Sequence, residues 1–386
     1  MLVKRIIIII IKIFIIILLF IFIMVTTMTN SEIERIKKGR EIILNIIKKK
    51  GRDHIYDLTG MGGGFKLKKT DIDILDTYIG PAVFSERLNI VGLQHLGGDP
   101  DIHKAVGFNR TSSAILSTIM ALSKEIEEVI HYLPRRPSHP SIPRSCRIFN
   151  VPYFESDSVD EIIDRIDKNT LTVITGATMD HKVVDLNHLK KILNRCLEKK
   201  SISFIDDASG ARLRLLYHQP PPLKLNANLV VTSTDKLMEG PRAGLLAGDM
   251  DLVDTIYEEG LKYGLEAQSP VLAGMVNALE SFNLEKLREA FERAKRIDLT
   301  PLTSMGIEVE RTPTGFALTS LSEEESVQLA LKLLEKYGII TITAVGMPGA
   351  SKTLRIDLCS KDASKVSDEY IVNAIVSSYR EILNNY

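Results

Sequence analysis

Between residues 105 and 232 the chain alternates short apolar runs with stretches whose hydrophobic positions recur every three or four residues. The runs at 129–133, 147–151, 171–175, 202–205 and 229–231 are short and mostly β-branched, which predicts strands. Residues 113–123, 159–166 and 186–199 carry the helical period. Buried strands separated by amphipathic helices predict an α/β unit with a large, mostly parallel sheet covered on both faces. In such sheets ligands gather at the carboxyl ends of the strands.

The last third has a different texture. A long helix is expected over 270–295, strands around Val309, Phe316, Leu318 and Leu321, a helix over 323–336, strands at 339–343 and 354–358, and a closing helix over 366–383. This order describes a small α+β domain joined to the sheet by a connecting helix. Upstream, Ser31 can cap a helix running to Lys50, with Ile33, Ile36, Ile43, Leu44 and Ile47 near helical spacing. The glycine-rich stretch from Leu58 to Phe65 then suits a turn with positive φ or a backbone held close to a ligand. Four parts follow: a tail (1–28), a helix with a glycine-rich arm (29–65), a large domain (66–262), and a connecting helix with a small domain (263–386).

The tail changes the picture only if it is taken literally. Ile6 to Val25 is apolar except for Lys12 and is about long enough to span a bilayer. Lys4 and Arg5 precede it while Lys37, Lys38 and Arg40 follow, so flanking charge sets no orientation. Met24 and Met28 offer later starts, and a translated upstream region is favoured over an anchor or a signal peptide; the expected location is the cytoplasm. Lysine plus arginine and aspartate plus glutamate each number 49, so no overall field draws the protein to nucleic acid. RNA would need a local patch, for which Lys37, Lys38, Arg40 and Lys48 to Lys50 are the candidates; a solvated helix face explains them equally well. Cys146, Cys196 and Cys359 are widely spaced, which fits a reducing compartment and predicts no metal site.

Three motifs carry chemistry. Gly107 to Ala114 (GFNRTSSA) places Thr111, Ser112 and Ser113 at a helix start, where free N–H groups and the macrodipole favour a phosphate; plain N-capping is the other reading. Asp206, the first residue after an apolar strand in Phe204 to Gly210 (FIDDASG), can pair with a protonated ring nitrogen. Paired aspartates can also hold Mg2+, but no phosphate-binding loop of the GxxxxGK type accompanies them. Lys236 follows the next strand, among hydroxyls and ahead of glycines, where partial desolvation would help it lose its proton; a surface lysine is the plain alternative. Their order, phosphate cup then aspartate then lysine, joins them.

In this order the motifs resemble fold-type I pyridoxal 5'-phosphate (PLP) enzymes, which have the aspartate-aminotransferase-like fold. Thr234 to Gly244 (TDKLMEGPRAG) is similar to the lysine motif of bacterial selenocysteine synthase (L-seryl-tRNA(Sec) selenium transferase). The stretches from Phe108 to Ser113 and from Asp206 to Arg212 resemble an archaeal group of PLP-dependent proteins related to that synthase. The resemblance runs from Ser31 to the carboxyl terminus. It implies a Schiff base on Lys236, Asp206 at the pyridine nitrogen, and Thr111, Ser112 and Ser113 around the phosphate, with a hydroxyl from Ser233 or Thr234. It also implies His139 over the pyridine face, unless it is a loop histidine without a role. Arg355 would hold a substrate carboxylate or form a salt bridge, and Arg242 is a further anion-binding candidate.

The implied enzyme acts on an amino acid or aminoacyl group by β-elimination or β-replacement, and the implied assembly is a homodimer or a higher homo-oligomer. An aminotransferase, a decarboxylase, or an RNA-binding or regulatory protein that retains PLP are the alternatives. Only a short helix stands where the synthase carries a domain that helps bind tRNA, so a tRNA partner is not part of the leading reading. His95 and His103, just upstream of the cup, are left without a role.

Overall fold

The computed structural model describes residues 32–64, 67–346 and 353–384; the apolar tail, Ser31 and Phe65 lie outside them. Residues 32–50 form the amino-terminal helix. The strands are β1 (Tyr56–Asp57), β2 (His103–Phe108), β3 (Glu128–Tyr132), β4 (Tyr153–Ser156), β5 (Thr170–Thr175) and β6 (Ile202–Asp206), then β7 (Leu229–Ser233), β8 (Gly244–Asp249), β9 (Val309–Thr312), β10 (Gly315–Leu318), β11 (Ile339–Ile340) and β12 (Leu354–Asp357).

Seven strands form the large sheet in the order β2-β8-β7-β6-β5-β3-β4. Only β8 runs against its neighbours, so the mostly parallel sheet read from the sequence is present. β5 and β7 are buried along their whole length, as a sheet covered on both faces requires. One apolar layer includes Phe84, Ile130, Ile174, Ile205 and Val230, and the other includes Ile119, Val129, Val173, Phe204 and Val231. Alternate residues of a strand thus feed opposite layers.

A smaller antiparallel sheet, β12-β10-β9, packs with the helices Glu323–Tyr337 and Asp368–Leu383 around Phe316, Leu329, Leu333, Ile356 and Ile375. Ile42, Ile43 and Ile46 of the amino-terminal helix lie against this same core, and β1 pairs with β11 in parallel. The first described segment is therefore built into the last one. Among the described residues no helix is long and apolar enough to cross a membrane.

Three elements differ from the sequence reading. Residues 147–151 are not a strand: Ser141–Ile148 is a helix burying Ile142, Ser145 and Cys146, positions one turn apart, and the strand follows as β4. The connecting helix is two helices, Ser269–Glu280 and Leu284–Arg296, because the Asn283 side chain accepts the Glu285 N–H at 2.8 Å and starts a new one. The first half packs into the large core through Leu272, Met275 and Val276. The strand expected at 339–343 shortens to β11, and Ile342–Val345 is a helical turn.

Candidate active site

β2, β3, β5, β6 and β7 end along one edge of the large sheet. Thr175 is the register partner of Asp206, Asp206 of Val231, and Gly244 lies opposite both Ser233 and Phe108. The three motifs therefore share this edge.

The helix Thr111–Leu122 begins there. Its N-cap is Arg110, which makes no side-chain cap, so simple capping does not account for the run of hydroxyls. A Cβ on Gly244 would lie 2.7 Å from the Thr111 nitrogen and from the Arg110 oxygen; only glycine lets β8 come this close to the helix start. Arg110, Arg242 and Asp235 are charge-coupled beside it, with Arg242 Nε 3.3 Å from Asp235 Oδ2. Ser233 Oγ donates to Asp235, and Thr234 Oγ1 donates to the Pro241 carbonyl at 2.8 Å. Those two hydroxyls thus shape the lysine loop, and Thr111, Ser112 and Ser113 stand at the helix start beside Arg110 and Arg242.

The two aspartates divide their work. Asp207 is fully buried in a two-pronged ion pair with Arg214, both N–O distances being 2.8 Å. Asp206 has no such partner, and its Oδ1 is buried without a hydrogen bond. Burial raises its pKa, against the pull of Lys236 and of the Ala208 N–H. A cationic ring N–H against Oδ1 would satisfy the one open acceptor and draw the pKa back down.

Lys236 lies just past β7. Its backbone bridges to Met61, Leu237 N–H donates to Gly60 at 2.9 Å, and Gly62 N–H donates to Asp235 at 2.7 Å. The glycine-rich arm thus docks against the lysine loop. Gly60 has φ +74°, and a Cβ there would meet the Asp357 carboxylate at 2.6 Å. Desolvation lowers the Lys236 pKa, Arg355 and Arg212 add to the effect, and Asp206 and Asp235 oppose it. The residue as a whole is half-buried.

His139 lies on the loop ahead of the helix Ser141–Ile148 with part of its surface exposed. Partial burial of its ring, with the charges of Lys236, Arg144 and Arg110, lowers its pKa to about 4. Nδ1 accepts the Ser141 N–H at 3.3 Å, so Nε2 carries the proton. Arg355 reaches the site from β12; it is not a surface group, and among the described residues it forms no salt bridge, though the charges of Asp357 and Asp180 act on it. It is buried, Nη1 donates to the Met179 carbonyl, Nη2 to that of Thr59 at 3.4 Å, and Nε has no partner. The guanidinium ties the large sheet's loop and the arm to the small domain.

Four further residues were missed in the sequence. Arg212, wholly buried, donates Nε to the Lys236 carbonyl at 3.0 Å and Nη1 to Thr232 Oγ1 at 2.6 Å, fixing the lysine's backbone. Two arginines inside the apolar heptapeptide of Gly210–Leu216, with Arg214 the second, were the available signal. His181, buried with φ 66°, has Nδ1 3.5 Å from Asp357 Oδ2 and is charge-coupled to Arg355 and Lys236. His131 is completely buried on β3, and burial lowers its pKa to about 4. His103 stands at the amino end of β2, away from this edge, and His95 packs edge-on against Phe282. Among the described residues no group of His, Cys, Asp and Glu is placed to hold a metal ion.

The depressed pKa of His131 has a sign. Its contribution to stability is complete above the ordinary value of 6.5 and is lost as pH falls towards about 4. At about 1.4 kcal/mol per pH unit, the native protein should lose about 2 kcal/mol more than His131→Asn between pH 6.5 and 5. Parallel denaturation curves at the two pH values measure this; equal losses would refute it.

Residues 305–367 match the model of the UPF0425 C-terminal domain. The UPF0425 pyridoxal phosphate-dependent protein of Methanococcus maripaludis is 58% identical over 90% of this chain and 99% of its own length. Its counterpart in Methanothermobacter thermautotrophicus is 43% identical over 91% of this chain and 94% of its own length. Among solved structures, a SepCysS–SepCysE N-terminal domain complex aligns with 84% of this chain and 95% of the other (TM-score 0.61, 16% identity). Sphingomonas wittichii serine palmitoyltransferase aligns with 90% and 83% (TM-score 0.58, 15% identity). These likenesses show the fold-type I architecture, and the identity to the methanogen proteins shows that the chain belongs to the UPF0425 family of pyridoxal phosphate-dependent proteins.

Proposed function

We propose that this edge of the sheet holds PLP with Lys236 as its attachment point, and that the chain is a PLP-dependent enzyme acting on an amino acid or aminoacyl group. The observation that carries the site assignment is the buried, unpartnered Oδ1 of Asp206 beside an amine whose pKa is lowered. When bound, the cofactor supplies an electron sink next to the substrate's α-carbon.

The chain's own groups then have defined work. Thr111, Ser112 and Ser113 with the helix start bind the phosphate, Arg242 and Arg110 balance its charge, and Asp206 holds the ring nitrogen protonated. His139 covers the recess. The Lys236 amine, favoured in its neutral form, takes and returns the α-proton. Arg355, fixed between two carbonyls, sets the positive field on the small-domain side and is the group a substrate carboxylate would meet. The reading extends to β-elimination or β-replacement as the reaction, on the resemblance of the lysine motif to selenocysteine synthase. It also extends to the division 29–65, 66–262 and 263–386, a homodimer and a cytoplasmic location.

Sodium borohydride reduction after incubation with PLP tests the assignment. We expect a stable adduct of one cofactor per chain, with peptide mapping placing it on Lys236; an adduct on another lysine, or none, would refute it.

A further inference from the structure

His131, Tyr153, Glu155 and Thr175 form a connected group that the proposed chemistry does not use. The register pairs His131 with Glu155 on β4 and with Val173 on β5, so Thr175, two residues on, and Tyr153, two residues before Glu155, share one face of the sheet with His131. The contacts are short: His131 Nε2 to Thr175 Oγ1 2.8 Å, His131 Nδ1 to Tyr153 Oη 2.8 Å, Tyr153 Oη to Glu155 Oε2 2.6 Å, and Tyr153 Oη to Ser138 Oγ 3.0 Å.

The direction of the chain follows from what each group can give. A carboxylate only accepts, so the Tyr153 hydroxyl donates to Glu155. Having spent its single proton, Tyr153 must accept from His131, which places the histidine's proton on Nδ1 and leaves Nε2 to accept from Thr175. Each donor therefore polarises the next, from Thr175 outward to Glu155. Burial keeps His131 neutral, as this arrangement needs.

The two ends of the chain give it a purpose. Thr175 is the register neighbour of Asp206. At the other end, Tyr153 Oη meets both Glu155 and Ser138 Oγ, and Ser138 is the residue before His139. Among the described residues His139 itself bonds to Ser141, two residues on, through Ser141 Oγ at 2.9 Å and the Ser141 N–H. Its loop is tied to β4 by Ser138 through Tyr153 and, further back, by Arg136, whose Nε lies 3.3 Å from Asp157 Oδ1.

We propose that Tyr153 is a positioning residue: through Ser138 and Glu155 on one side and His131 on the other, it fixes the loop that carries His139 over the Lys236 recess. This rests on the assignment of that recess to PLP. Its role is distinct from general stabilisation of β4, because β4 keeps its pairing with β3 when one hydroxyl is removed, and the cofactor should sense the loss through the loop of His139.

A double-mutant cycle tests it, read as PLP affinity and as the visible circular dichroism of bound cofactor in full-length protein. His139→Ala and Tyr153→Phe should each weaken PLP binding by about fivefold or more, the worth of one ordinary hydrogen bond, and each should reduce the dichroic band. The double variant should match His139→Ala within about twofold. Multiplied losses would overturn the proposal, as would a Tyr153→Phe protein with unchanged affinity and dichroism. Should Tyr153→Phe unfold, Ser138→Ala, which removes the link nearest the loop, takes its place in the same cycle with the same criteria. Wild-type protein that never develops a PLP band would instead defeat the assignment of the recess.

Discussion

Replacing Lys236 by alanine is expected to abolish the borohydride-stable cofactor adduct and to lower turnover by about 10^2- to 10^4-fold from lost proton transfer alone. The side chain should be dispensable for the fold. What the structure uses of Lys236 is its backbone, bridged to Met61 and held by Arg212. Lys236→Ala should therefore purify as a folded protein that still binds PLP through the helix start and Asp206, with an unlinked spectrum. Added methylamine should restore part of the turnover, because it supplies the missing neutral amine. Unchanged turnover, or a stable adduct surviving the substitution, would move the attachment to another lysine.

The second large effect separates two adjacent carboxylates. Asp207→Asn should destabilise the protein by about 3–5 kcal/mol, since it leaves the buried Arg214 guanidinium without its counter-charge. Gly176 and Gly210 press directly against the Asp207 carboxylate, so the surroundings have little room to rearrange. Asp206→Asn should cost far less stability, because its Oδ1 has no protein partner to lose, but should lower turnover by about 10^2-fold or more through loss of the ring-nitrogen partner. Urea denaturation with PLP affinity and turnover on both variants gives the answer. If Asp207→Asn proved stable and inactive while Asp206→Asn unfolded, the roles would be reversed.

Much of this was legible because the chemistry sits at punctuated boundaries. Asp206 closes the apolar strand β6, Lys236 stands three residues past β7, and Thr111 to Ser113 open an apolar helix, so a change of pattern marks each one. Residues 147–151 were misread because a two-turn helix burying Ile142, Ser145 and Cys146 leaves only a brief apolar signal before β4. The break at Ser281 to Asn283 was hidden because both flanking helices keep the same apolar period. Arg355 was placed near the site but not in its bonds, since its acceptors are backbone carbonyls some 180 and 300 residues away, which no side-chain pattern encodes. His131 and Tyr153 escaped for a related reason: each lies inside a strand and finds its partners on other strands.

The docking of the glycine-rich arm sets an order of events for a new chain. Gly60 N–H reaches Ser360 Oγ, Gly62 N–H reaches Asp235, and Leu58 N–H reaches Ile340, so one short segment near the beginning waits for partners made about 170 to 300 residues later. During synthesis at about 5–20 residues per second, the strands β2 to β8 can pair while the arm has nothing to bind. Closing such long loops comes late, because their entropy must be offset before the contact forms. Lys236 meets Met61 across about 175 residues, so the lysine loop is completed by a segment made long before it.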